Sequence, residues 1–277
     1  MIEMMKVDVC LESVFTDLPY DRRIVKIAEA GFSMVEFWFH DATFFNGDCV
    51  KSQAKDPLLL RKVCKETGVK INNMVLNAPD GSFGGSPVNK GDLNRYLDRL
   101  DEVIAFSRMI GCSKAITCSG NVDCSLTRTQ MRGNLEKALS QAAEIAEKQD
   151  FTLLLEPLNT LVDHEGYFLD SSHEAAEIVR EINRPSLKLL YDVYHMQIME
   201  GNIIANITEQ IDIIGHFHSA GVPGRGEITN GELNYAEVMR AIDGLGYKGA
   251  FGLEYFPKIV DNSESLRLTK QYIEGMV

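Results

Sequence analysis

The chain has no CxxC pair and no regular cysteine framework. Its six cysteines, Cys10, Cys49, Cys64, Cys112, Cys118 and Cys124, are scattered, which excludes a disulfide-stapled scaffold and points to reduced thiols. No apolar run approaches the roughly 18 residues of a membrane span. Residues 1–6 hold no basic stretch followed by an apolar one, so neither a signal peptide nor a membrane partner is expected, and the expected compartment is the cytoplasm. Positive charge is also short: 28 Lys and Arg stand against 40 Asp and Glu, a net charge of -12, which argues against nucleic acid as a partner. The G-x-x-x-x-G-K-[ST] pattern of a phosphate-binding loop is missing as well.

What remains is a chain of 277 residues with 45% hydrophobic and 25% charged residues, enough for a large core in a single domain spanning 1–277. Short β-branched apolar runs alternate with segments of helical period from end to end. Strands are expected near 6–12, 33–39, 69–76, 113–118, 151–156, 187–192, 212–218 and 250–254. Several, such as Phe151-Thr-Leu-Leu-Leu155, are apolar on both faces, as parallel strands covered on both sides are. Between the fourth and fifth, Met131, Leu135, Ala138, Leu139, Ala142 and Ala146 recur at helical steps behind a capping box of Thr127 and Gln130. Ser171 and Glu174 offer the same box before Ala175, Ile178, Val179 and Ile182. The Gly-rich stretch 78–92 follows the third strand and suits a mobile loop over a site. Eight such pairs in roughly 250 residues predict an α/β fold, a single (β/α)8 TIM barrel, whose chemistry sits at the C-terminal ends of its strands.

At those ends stand Glu156, Asp192, His218 and Glu254, spaced 36, 26 and 36 residues apart, one βα unit each. One acid closing an apolar run is ordinarily a helix cap. Four residues of ligand type on consecutive strands bring three carboxylates and an imidazole to one point, where the carboxylates repel unless a cation lies among them. Such donors favour Mn2+ or Mg2+, with Co2+ or Zn2+ able to substitute. His195, three residues past Asp192, and Arg225, in the loop after the seventh strand, are candidate substrate contacts; an Arg suits a carboxylate and a His an oxygen. His216 shares a strand face with His218 but lies one layer deeper, as a core histidine or as a substrate contact.

The strings Glu156-Pro-Leu-Asn159, Asp192-Val-Tyr-His195, Gly215-His-Phe-His218 through Arg225, and Gly252-Leu-Glu254 resemble the metal-site motifs of the xylose-isomerase-like barrels, the sugar phosphate isomerase/epimerase superfamily, and within it the hydroxypyruvate isomerase-like members. The resemblance implies metal ligation by Glu156, Asp192, His218 and Glu254, with Glu156 and Glu254 as the acid/base pair and His195 and Arg225 on the substrate. The implied reaction interconverts hydroxypyruvate and tartronate semialdehyde through an enediolate. The alternative is a ketose 3-epimerase or an isomerase of another small sugar or 2-oxo sugar acid. Ketose 3-epimerases typically place a second glutamate six residues after the first ligand, and here that position is Val162. Phosphodiester hydrolysis, as in endonuclease relatives, wants more histidines than the six present, and a non-catalytic barrel would not need all four ligand-type residues. The expected partner is a small hydroxy-carbonyl compound; homo-oligomerisation stays open.

Overall fold

Leu153, Leu154 and Leu155 are fully buried, as are Leu189, Leu190 and Tyr191. A strand with no solvent-facing side must be covered on both, which parallel strands achieve when helices pack outside a closed sheet. The computed structural model describes residues 5–45 and 48–275. Its strands in chain order are β1 (Lys6–Cys10), β2 (Met34–Trp38), β3 (Ala42–Phe45), β4 (Asp48–Lys51), β5 (Lys70–Val75), β6 (Lys114–Thr117), β7 (Thr152–Leu155), β8 (Leu187–Asp192), β9 (Ile214–Ser219) and β10 (Ala250–Leu253). All but β3 and β4 form a closed parallel barrel in chain order, with β10 returning to β1. Each of the eight expected strands is present, with ends within two residues of those expected.

The helices are α1 (Tyr20–Glu29), α2 (Pro57–Thr67), α3 (Leu93–Ile110), α4 (Arg128–Glu147), α5 (Ser172–Ile182), α6 (Val193–Met199), α7 (Ile203–Gln210), α8 (Tyr235–Gly244) and α9 (Asn262–Glu274). The periodic residues of α4 are buried and its capping box is complete, with Thr127 Oγ1 accepting from Gln130 N–H and the Gln130 side chain accepting from Thr127 N–H. The box on α5 is only half made. Ser171 caps it, but the Glu174 carboxylate is drawn outward by Arg128 and Arg132 of α4.

One element goes beyond the expected alternation: β3 and β4 pair as an antiparallel hairpin inserted between β2 and α2. The stretch 78–92 borders the barrel mouth, where Ala78, Pro79, Asp80 and Ser82 line a cavity. It is tied down by Asn77 Nδ2 donating to Gly85 O and by Ser86 N–H donating to Asp92 Oδ2.

Register carries the polar residues to one level. Asp192 of β8 pairs with His218 of β9, and His218 with Gly252 of β10. The β8–β9 register slips between Leu189 and Leu190, at the level of Gly215, where a Cβ would come within 2.8 Å of Leu154 and Lys188. That irregularity puts His216 opposite Leu190 and His218 opposite Asp192.

Candidate active site

Glu156 and Glu254 each stand one residue beyond the end of their strand, and Asp192 closes β8. Asp192 is also a helix cap: its Oδ1 accepts from Tyr194 N–H at 2.7 Å and His195 N–H at 3.1 Å, starting α6. Oδ2 faces the other way, 4.0 Å from His218 Nδ1. Cap and candidate ligand are therefore two ends of one carboxylate. His218 Nδ1 also lies 3.3 Å from Glu156 Oε1 and 3.6 Å from Glu254 Oε2, so the four residues read from the strand ends do converge. All are buried.

Burial raises the carboxyl of Glu156 to about 7 and that of Asp192 to about 6. Burial alone would pull the His218 imidazole down, but Glu36, Glu156 and Glu254 outweigh it and hold the ring well above its ordinary value. Glu156 Oε1 and both ring nitrogens of His218 are buried without a well-directed hydrogen bond in the protein. Orphaned buried polar atoms among converging carboxylates are what a cation site leaves when described without its ion. The donor set, oxygen-rich with one imidazole, fits a hard divalent ion.

Two tight groups of ligand-type side chains occur among the described residues: Glu156, Asp192, His195 and Glu254, and below them Glu36, His216 and His218. His218 joins the two layers, since its Nε2 is 2.9 Å from Glu36 Oε1. His216 belongs to the lower layer. Its Nε2 is hydrogen-bonded to Glu36 Oε2 at 3.1 Å and lies 3.7 Å from Asp8, so it is a core histidine and does not line the cavity. Burial and the neighbouring Glu36 raise Asp8 to about 6.

His195 is fully buried on α6, with Nε2 3.6 Å from Asp192 Oδ2. Burial, reinforced by Arg225 and His164, pushes its pKa well down, so the ring is neutral. Arg225 takes a left-handed backbone conformation, φ 55°, and packs between the rings of Tyr194 and Phe256. Its Nη2 donates to Glu254 Oε2 at 2.6 Å, a pairing that spacing in the chain does not announce. Glu254 Oε1 in turn faces Trp38 Nε1 at 3.5 Å.

Above these groups opens a cavity of about 540 Å3, bordered by Trp38, His40, Cys118, His164, Arg225 and both glutamates among others, a volume within the range of small-molecule sites. Val162 is exposed and stands outside it, while the neighbouring Asp163 lines it. Sequence reasoning missed Glu36, Trp38 and Asn159. A signal for the first did exist, since Glu36 is the lone charge in the strand Met34-Val-Glu-Phe-Trp38.

Three kinds of similarity bear on this geometry. The E. coli (strain K12) hydroxypyruvate isomerase is 29% identical over 259 residues, covering 92% of this chain and 95% of that protein. The 2-oxo-tetronate isomerase of Cupriavidus necator is 34% identical over 178 residues, 64% of this chain and 68% of its own. The crystal structure of an AP endonuclease, family 2, from Brucella melitensis superposes with a TM-score of 0.85 at 27% identity, covering 97% of this chain and 99% of that one. The model of the xylose isomerase-like TIM barrel family matches residues 24–272, and the chain, an α/β barrel with its acidic strand ends gathered at one rim, belongs to that family.

Proposed function

We propose that the chain is a divalent-metal-dependent isomerase that interconverts hydroxypyruvate and tartronate semialdehyde. The observation that carries this reading is the convergence of Glu156, Asp192, Glu254 and His218 Nδ1 beside the part-buried guanidinium of Arg225. Glu156, Asp192, His218 and Glu254 would hold the ion, Mn2+ or Mg2+ by donor type, with Co2+ or Zn2+ able to substitute. When bound there, such an ion polarises the substrate carbonyl and acidifies the neighbouring C–H bond.

The chain's own groups move the protons. One of the two glutamates takes the proton from C3 of hydroxypyruvate, and that one or its partner delivers a proton to C2, while the hydroxyl proton passes from the C3 oxygen to the C2 oxygen. Glu156, a carboxylate that lines the cavity one residue beyond β7, suits a group that accepts and returns a proton at the reacting carbons. Arg225 holds the substrate carboxylate, and His195 donates to a substrate oxygen. Names among the relatives support a small 2-oxo acid as substrate, with the four-carbon 2-oxo-tetronate as the next to try.

The test is turnover of C3 to C6 hydroxy-carbonyl compounds by Mn2+-loaded protein, followed by proton exchange in D2O. Hydroxypyruvate or a close 2-oxo acid is expected to lead the panel. Glu156→Gln and Glu254→Gln should each lower kcat at least about 100-fold. Arg225→Lys should raise KM for the acid more than for a neutral ketose, because a point charge cannot reproduce the planar fork. Since Arg225 also binds Glu254, both substrates lose something and the ratio carries the information. Preference for a neutral ketose, with an equal loss in Arg225→Lys, would establish the ketose epimerase alternative instead.

A further inference from the structure

Beyond Glu156 the chain runs through Pro157 and Leu158 to Asn159, which is fully buried. The orientation of its carboxamide is not ambiguous. Oδ1 accepts from Val162 N–H at 3.0 Å and Asp163 N–H at 2.9 Å, and two backbone donors require an oxygen there. The other end is therefore the NH2 group. It donates to Asp163 Oδ2 at 2.7 Å and faces His195 Nδ1 at 2.6 Å. The backbone N–H of Asn159 points at the same ring nitrogen, 3.2 Å away. An imidazole nitrogen facing two N–H donors carries no proton, so the single ring proton of His195 lies on Nε2. That atom is buried, makes no hydrogen bond to the protein, and sits on the side of the carboxylates.

We infer that Asn159, clamped by Asp163, is a positioning residue that holds His195 in its Nε2–H tautomer, so that the histidine meets a substrate oxygen as a donor and stays out of the metal's ligand set. The inference rests on the substrate contact proposed above for His195. The alternative tautomer would present a lone pair at Nε2, and His195 has a ring nitrogen within 4.8 Å of ligand oxygens of Glu156, Asp192 and Glu254. One proton thus decides between a hydrogen-bond donor and a fifth ligand to the ion, and the carboxamide of Asn159 decides where the proton sits. Asp163 reinforces the clamp, because its Oδ2 also takes the hydroxyl of Tyr194, the residue before His195 on α6. Both sides of the histidine's mounting are tied to one carboxylate.

The experiment reads the tautomer directly. Two-bond 1H–15N correlation spectra of 15N-histidine-labelled, Mg2+-loaded protein, assigned by loss of the signal in His195→Gln, are expected to show the Nε2–H pattern at His195. The exchange variant Asn159→Asp with Asp163→Asn replaces the nearer, side-chain donor facing Nδ1 by a charged acceptor at nearly constant volume, which outweighs the longer contact of the remaining backbone N–H. It should convert His195 to the Nδ1–H form and lower kcat at least about 100-fold, while Mn2+ still binds. A wild-type ring that is Nδ1–H or doubly protonated overturns the assignment without any variant having to fold. An exchange variant that loses turnover yet keeps the Nε2–H pattern overturns it too, since the residue would then be structural only. The tautomer is measured on the protein without substrate, so a failure to turn over hydroxypyruvate would count against the proposed function and not against this assignment.

Discussion

At the residue scale, the site depends on groups whose protonation differs between the free and metal-bound protein. Burial raises Glu156 to about 7 and Asp192 to about 6, while surrounding carboxylates hold His218 well up. A carboxyl whose folded pKa exceeds its unfolded value binds its proton more tightly when folded, so between roughly pH 4.5 and 7 stability falls as pH rises. A histidine raised in the folded state acts in the same direction, its contribution being lost as pH rises through the folded pKa. A divalent ion needs these carboxylates ionised and Nδ1 of His218 free, so its binding strengthens over the same window. His40, His164 and His195, held low by burial, act in the opposite sense, so the expected outcome is read against Glu156→Gln: from about pH 5 to 7.5 the Tm of metal-free wild type declines relative to that variant, and the rise in Tm of the wild type on adding Mn2+ grows. Thermal scans with and without Mn2+ across that window check it, and parallel trends would remove these groups from the metal site.

At the element scale, β10 has to leave room for the residues it faces. Gly252 pairs with His218 on one side and with Asp8 on the other. A Cβ there would lie 2.7 Å from His218 Cδ2, 3.0 Å from His216 Nε2 and 3.1 Å from Glu36 Oε1. A glycine inside a strand often marks such a close approach. Gly252→Ala should displace His218, weaken Mn2+ affinity at least about 10-fold, in line with other disturbances of ligand orientation, and cost about 1–3 kcal/mol through overpacking. Metal titration by EPR together with urea unfolding measures both effects. Unchanged affinity would show that His218 does not need its present placement. The capping of α5 illustrates how local grammar is modified by neighbours: Ser171 caps as its spacing suggests, but Glu174 has stronger partners in Arg128 and Arg132 of the adjacent helix than the lone backbone N–H the box would offer.

At the scale of the whole molecule, the net charge of -12 opposes the approach of an anionic substrate. The cavity mouth adds Asp80, Asp163 and Glu165, and among the described residues that line it Arg225 is the single Arg or Lys. Raising ionic strength from about 10 to about 150 mM shortens the Debye length from roughly 30 to 8 Å. This should screen the repulsion and increase kcat/KM for a carboxylate substrate while leaving a neutral ketose unaffected. Steady-state kinetics at two salt concentrations suffices as the check. A decrease for the acid would mean that the attraction of Arg225 dominates the field at the mouth.

How far the chain can be read without its structure follows from the range of the forces involved. Strand and helix periods are local, set by which neighbours along the chain are buried, and so the eight strands, the buried face of α4 and its complete capping box could all be read from spacing. Strand ends are local too, and Glu156, Asp192, His218 and Glu254 announced themselves as polar residues closing apolar runs. The hairpin of β3 and β4 did not, because each strand is only four residues long and carries little periodic signal. The pairing of Arg225 with Glu254, the contact of Glu36 with His218, and the carboxamide of Asn159 that places the proton of His195 all join residues from different βα units. Those contacts exist only once the strands assemble, Glu36 and His218 meeting across the closed barrel and the other two pairs between neighbouring βα units, and no period along the chain encodes which side chain will be there to meet another.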